Sequence, residues 1–380
     1  MATGCFVLAA LLAGTYGYHK FYKAPTTAEM LNISCFVFRD INRNGLYDLG
    51  DRPYAGLALR MDRPDADPVS VESNISGFAN FRMAARVAQA DVRTAGSYTI
   101  TAAAPAGWRI TSGNAVQSAS FRLLEAAPVG IVADTLFVPI GVAPDLTISG
   151  RVAIDPAAPE ASRGTLRAIS PRGASVVVPM AGDGRFSLPA ETGDWQLVHT
   201  STTGNARTRT LQVGDYAVVV SALSDRGGAT APKRTRVTVD FDSLTTSDTL
   251  FEIPRGYGGL NWSNWVALHQ KRNGAAGYVN GAVSAEYVAY NSSGHPASFG
   301  SAQAFDLAGL HLAVARPDAE QHDVIIRAWR GETLVHEDRL RTSTAGPLYF
   351  DADYRDITRV ELSSAAYWQV VIDDLVYRSD

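Results

Sequence analysis

Phe36-Val-Phe-Arg-Asp40-Ile-Asn42-Arg-Asn44-Gly45-Leu46-Tyr-Asp48-Leu-Gly-Asp51-Arg-Pro53 passes from an apolar run into a loop dense in Asp, Asn and Gly. Side-chain oxygens stand at loop positions 1, 3, 5, 9 and 12 (Asp40, Asn42, Asn44, Asp48, Asp51), with glycine at position 6. That is the spacing of an EF-hand loop, where alternate side chains turn inward, position 7 (Leu46) offers its carbonyl, and glycine permits the sharp turn. Calcium takes about six to eight oxygen ligands, and this stretch presents a set of that size. Asp51 at position 12 reaches less far than the usual Glu, which weakens bidentate chelation. The competing reading is a polar hairpin loop, of which all-β proteins contain many.

Outward from the loop the pattern is strand-like throughout. Runs such as Cys35-Phe-Val-Phe38, Ser97-Tyr-Thr-Ile-Thr101, Leu146 to Ile154, Tyr216-Ala-Val-Val-Val220, Asp323 to Trp329 and Trp368-Gln-Val-Val-Ile372 are β-branched or aromatic and end at Gly, Pro, Asn or Asp. Helical periodicity is nearly absent, Glu125 to Ala133 being its one hint. The chain of 380 residues, with 33 Gly and 18 Pro, is too long for a single core. It reads as an all-β protein of three β-sandwich domains in series. Clusters of Pro and small residues at 138–144 and 224–233 set the boundaries: a leader and linker over 1–30, a calcium-binding sandwich over 31–144, a small spacer sandwich over 145–230, and a jelly roll over 231–380.

The quoted segment and its continuation Tyr54-Ala-Gly-Leu-Ala-Leu59 resemble the B domains of serine-aspartate-repeat adhesins. Ser73-Asn-Ile-Ser-Gly-Phe-Ala-Asn-Phe81 and Gly96-Ser-Tyr-Thr-Ile-Thr101 with Pro105-Ala-Gly-Trp108 match later landmarks of that family. The resemblance implies an immunoglobulin-like sandwich in which calcium rigidifies a stalk-like surface protein. The middle segment, with its Gly182-Asp-Gly184 turn, looks like an immunoglobulin-like spacer module. From Val237 onward the chain resembles the galactose-binding-like jelly rolls of secreted and exosortase-sorted bacterial proteins. In those, first and last strands are neighbours and their carboxylates often hold calcium. By that resemblance Asp240, Asp242, Asp373 and Asp374 are candidates for a second site, with solvated strand-end charges as the other reading. Trp262 and Trp265, in a Gly- and Asn-rich stretch, are the candidates for stacking on a sugar, against a core role for aromatic residues of a sandwich.

Net charge is −4 with no basic block, which argues against a nucleic-acid partner. The run Cys5 to Ala13 has the length of a signal-peptide core, or of an anchor if uncleaved, which would be the only membrane contact. Cys35 is then the one thiol of the mature chain, so calcium would replace a disulfide as staple. Seven scattered histidines without metal-ligand spacing, and no Gly-x-Ser-x-Gly, argue against an enzyme. The expectation is a secreted or cell-surface, calcium-stabilised structural or adhesive protein whose partner is a glycan or surface matrix ligand; the alternative is a carbohydrate-binding protein using the jelly roll.

Overall fold

The computed structural model describes residues 30–63, 66–86, 96–124, 130–133, 137–154, 163–223 and 234–380. The expected leader, residues 125–129 of the helical hint, and 224–233 of the second boundary lie outside them. The remainder of that hint, Gly130–Ala133, is a strand.

Among the described residues the first sandwich holds β1 (Met30–Arg39), β2 (Arg52–Pro53), β3 (Ala58–Arg63), β4 (Ala66–Glu72), β5 (Phe78–Arg86), β6 (Gly96–Ala102), β7 (Trp108–Ile110), β8 (Val116–Leu124), β9 (Gly130–Ala133) and β10 (Ile140–Pro144). One sheet runs β2-β1-β10-β7 with β5 on β1, and the other runs β4-β3-β6-β8-β9. Alternation decides the facing: Ile33, Cys35 and Val37 from one sheet meet Leu59, Met61, Tyr98 and Ile100 from the other in one buried cluster. Each such aliphatic or aromatic side chain removed from water contributes about 1.5–3 kcal/mol. Burial pushes the Cys35 thiol up to about 11, which keeps it protonated.

The second sandwich comprises β11 (Thr147–Val152), β12 (Thr165–Ile169), β13 (Ser175–Val178), β14 (Arg185–Pro189), β15 (Gly193–Thr200), β16 (Ala206–Val213) and β17 (Ala217–Leu223). Sheet β13-β12-β15-β16 closes over β14-β11-β17, with Ile148, Leu166, Trp195, Leu197 and Val218 between them.

The third comprises β18 (Thr235–Val239), β19 (Phe251–Glu252), β20 (Asn261–Ser263), β21 (Trp265–His269), β22 (Tyr287–Asn291), β23 (Ala297–Val314), β24 (Val324–Arg330), β25 (Thr333–Leu340), β26 (Leu348–Ser364) and β27 (Val370–Ser379), with one short helix at Ala276–Gly281. The long strands β23 and β26 pair over most of their length, with register shifts that bend them. First and last strands are neighbours, β18 lying antiparallel on β27.

The second and third sandwiches share a sheet. β17 runs parallel to β26, Val218 opposite Tyr349 and Val220 opposite Asp351, so hydrogen bonding continues from β14 through to β19. The third sandwich also touches the first. Asn280 donates to the carbonyls of Ala55 and Thr344 and accepts from the Ala55 N–H, and Arg52 donates to the Ala282 carbonyl. Among the described residues no helix is long and apolar enough to cross a membrane.

Candidate metal centre

The 40–51 loop is clamped at its base. β1 and β2 pair through Phe38–Pro53 and Arg39–Arg52, and the Asp40 N–H bonds the Val142 carbonyl at 2.9 Å, continuing the β1–β10 pairing by one residue. Asp40 is fully buried, and its carboxylate accepts from the Asn44 N–H at 3.2 Å and the Gly45 N–H at 2.7 Å. Asn42 and Asn44 each accept the N–H two residues on, the local turn typical of Asn. Their amide nitrogens converge on the two oxygens of Asp48, at 2.8 and 2.7 Å. Asp51 closes the ring by accepting from Ile41 N–H at 2.9 Å and Asp48 N–H at 3.0 Å. Gly45 has φ +79, and a Cβ there would stand 2.9 Å from the Thr111 carbonyl, so both backbone and space require glycine.

The six candidate positions are thus on one compact loop, with Asp40 at its dry base and Asn42, Asn44, Leu46, Asp48 and Asp51 toward solvent. Among the described residues no three His, Cys, Asp or Glu side chains alone are gathered as a metal group. A cation here needs the Asn42 and Asn44 carboxamides and backbone carbonyls beside the carboxylates. An all-oxygen set of that kind is the chemistry of a hard cation.

Sequence reasoning missed the loop's outer tether. Asp215, on the β16–β17 turn of the second sandwich, bonds Arg39 Nε at 3.0 Å and Arg43 Nη2 at 2.8 Å, all three side chains being largely buried. Arg43 also reaches the Pro144 carbonyl at 3.0 Å. Asp215→Ala should therefore lower stability by about 1–3 kcal/mol in urea unfolding, from two guanidinium groups left underpaired; an unchanged midpoint would show the clamp to be idle.

The four carboxylates of the jelly roll do come together, but in another capacity. Asp373 is fully buried and accepts from the N–H groups of Val283 (2.7 Å), Ser284 (3.0 Å) and Asp374 (2.8 Å) and from the Ser284 hydroxyl. Asp242 accepts from the N–H groups of Ala285, Glu286 and Tyr287, and Asp240 from that of Asp242. Asp242 and Asp373 thus hold the 283–287 backbone, and among the described residues no three His, Cys, Asp or Glu side chains gather as a metal group. Burial pushes the Asp373 carboxyl up to about 7; the Val283 and Ser284 N–H groups hold it back and Asp374 adds to the rise. Asp374 is also raised, by burial and then by Asp240 and Asp242.

Trp262 and Trp265 are corrected from surface platform to core: they are 5% and 1% exposed, and the Trp262 indole donates to the Tyr257 carbonyl at 2.8 Å. Neither ring has a free face for a sugar.

No family model matches the chain, and no curated protein does. Solved structures give distant likenesses. One is the Bacillus anthracis TIE protein, at 10% identity over 56% of this chain with a TM-score of 0.21. Another is the minor pilin GBS52 of Streptococcus agalactiae, at 11% identity over 53% of this chain and 99% of that one with a TM-score of 0.19. A third is the shaft pilin SpaA of Lactobacillus rhamnosus GG, at 11% identity over 53% and 99% with a TM-score of 0.22. This chain spans 40% of the length of the TIE protein.

Proposed function

We propose that the protein is a calcium-stabilised structural or adhesive component of the cell surface or extracellular space, and that the Asp40–Asp51 loop takes the ion. One observation carries this reading: within twelve residues Asn42 and Asn44 turn their amides onto Asp48, while Asp51 and the buried Asp40 accept backbone N–H groups of the same loop. The carboxamides of Asn42 and Asn44 lend Asp48 a partial positive charge at the place where a divalent cation would supply a full one. Arg43 sits inside the loop and grips Asp215, so order in the loop passes to the second sandwich. Ca2+ would supply stability where the described cysteine, Cys35, is free, which suits an exported protein in calcium-rich surroundings.

Calorimetric titration of the full chain with CaCl2 is expected to give one saturable site at the loop. Calcium at about a hundredfold over its Kd should add about 2.7 kcal/mol, seen as a higher melting temperature that EGTA reverses. MgCl2 should do much less, because the smaller ion demands a near-octahedral site. Asp40→Ala with Asp48→Ala should abolish both heat and shift. A melting temperature indifferent to calcium and EGTA would end this reading and leave a polar hairpin loop.

A further inference from the structure

A cleft of about 410 Å3 opens between the second and third sandwiches, where β17 hands its sheet to β26. The β27 and β18 surface and β23 form its floor, and β16 with the turn before β17 forms its wall. A second hollow of about 440 Å3 shares Thr210, Ala308, Asp351 and Arg378 with it, so the two make one continuous groove.

Two costs are left standing in this cleft. Arg236 and Arg378 are direct cross-strand partners on β18 and β27, and both line it. Like charges directly opposite repel. Their neighbours are neutralised: Arg209 pairs with Asp351 and Asp353, and Arg234 with Asp306, Asp356 and Asp380. Among the described residues neither Arg236 nor Arg378 has a carboxylate within salt-bridge distance.

The second cost is His311, 4% exposed on β23, whose two ring nitrogens have no hydrogen-bond partner. Burial, and then the Arg39 charge, pull it down to about 3, so the ring is neutral and offers one N–H and one bare nitrogen. The rings of Tyr216 and Tyr349 flank it at centroid distances of 4.3 and 5.0 Å. Glycine makes room for both phenols: a Cβ on Gly214 would meet the Tyr216 hydroxyl at 2.7 Å, and one on Gly309 the Tyr349 hydroxyl at 2.5 Å.

We propose that this cleft binds an acidic sugar, a hexuronate residue, with its carboxylate on Arg236 and Arg378 and its hydroxyl groups toward His311, Tyr216 and Tyr349. The ligand follows from matching both costs at once. An oxyanion relieves the arginine pair through charge-assisted hydrogen bonds. A hydroxyl both donates and accepts, which is what a neutral imidazole with two unmet nitrogens requires. Free phosphate fits less well: it would bring charge toward Asp194, Asp351 and Asp374, which also line the cleft. Sugar hydroxyls can instead donate to those carboxylates. The volume holds one pyranose ring with solvent, and the adjoining hollow leaves room for a chain to continue.

The test is calorimetry on the full chain with sodium glucuronate, sodium galacturonate, glucose, galactose, sodium acetate and inorganic phosphate. At least one uronate should bind saturably, with the matching hexose, acetate and phosphate weaker by about tenfold or more. Arg236→Met, at the exposed rim where folding is not at stake, should weaken the uronate about tenfold, and Arg378→Met likewise. Addition of the uronate should also move the His311 ring resonances in NMR spectra. Binding of phosphate as tight as the uronate would replace the sugar site with a plain oxyanion site. Equal binding of the neutral hexose, an unaltered Kd in Arg236→Met, or no uronate binding would each overturn the proposal.

Discussion

Asp373→Ala is expected to destabilise the protein by about 3–5 kcal/mol near pH 5 and by clearly less near pH 8. The loss comes from three N–H groups and one hydroxyl that lose their acceptor beneath the third sandwich. Buried donors left without partners cost about 1–3 kcal/mol each before relaxation. The pH dependence follows from the raised carboxyl, at about 7 in the folded chain against an ordinary value near 3.8. Between those values the folded state holds a proton that the unfolded state has lost. Stability from this group is therefore full below the unfolded pKa and falls as pH rises through the folded one, by about 1.4 kcal/mol for each unit inside the window. Because the alanine variant lacks the group, the gap between the two proteins narrows toward alkaline pH. Urea unfolding of both proteins across the range measures it. A gap that widens with pH would mean that the N–H groups of Val283, Ser284 and Asp374 outweigh burial and hold Asp373 ionised.

How much of this was legible beforehand depends on the range of the interaction. Period-two alternation is local, so Ile33-Cys35-Val37 and Leu59-Met61 announce their facing without any knowledge of the partner sheet. The Asp40–Asp51 loop is legible as a unit because its hydrogen-bonding groups lie within twelve residues. Asp215 carries no such signal: its partners Arg39 and Arg43 lie more than 170 residues away. Asn280 and Ala55, 225 apart, are equally mute. The meeting of Asp240 and Asp242 with Asp373 and Asp374 follows from first and last strands being neighbours. Their role does not, since the donors facing them belong to the 283–287 backbone, whose approach no side-chain pattern encodes. His311 and the Arg236–Arg378 pair escaped for the same reason: the cleft exists only once β17 has joined β26.

Trp262→Ala should cost about 3–5 kcal/mol in chemical denaturation, the range of a large aromatic removed from a packed core, and should leave sugar binding at the interdomain cleft unaltered. The tryptophans at 262 and 265 stand three apart, a spacing that in one continuous strand sends side chains to opposite faces. Their Gly- and Asn-rich surroundings make both read as exposed in the sequence. The chain resolves the conflict at Asn264, whose φ of 61 lies in the left-handed region and separates β20 from β21. Its side-chain amide bridges the carbonyls of Ser292, His295 and Pro296, which holds the turn. Both indoles then enter the same core, Trp262 edge-on to Trp265 at 6.3 Å and to Phe241 at 5.6 Å and tilted against Phe299 at 5.4 Å. Trp262→Phe keeps part of that contact but drops the bond to Tyr257, so it should fall between the native protein and the alanine variant. A surface platform would behave in the opposite way, losing ligand while keeping its unfolding midpoint, and that result would return Trp262 to the binding role.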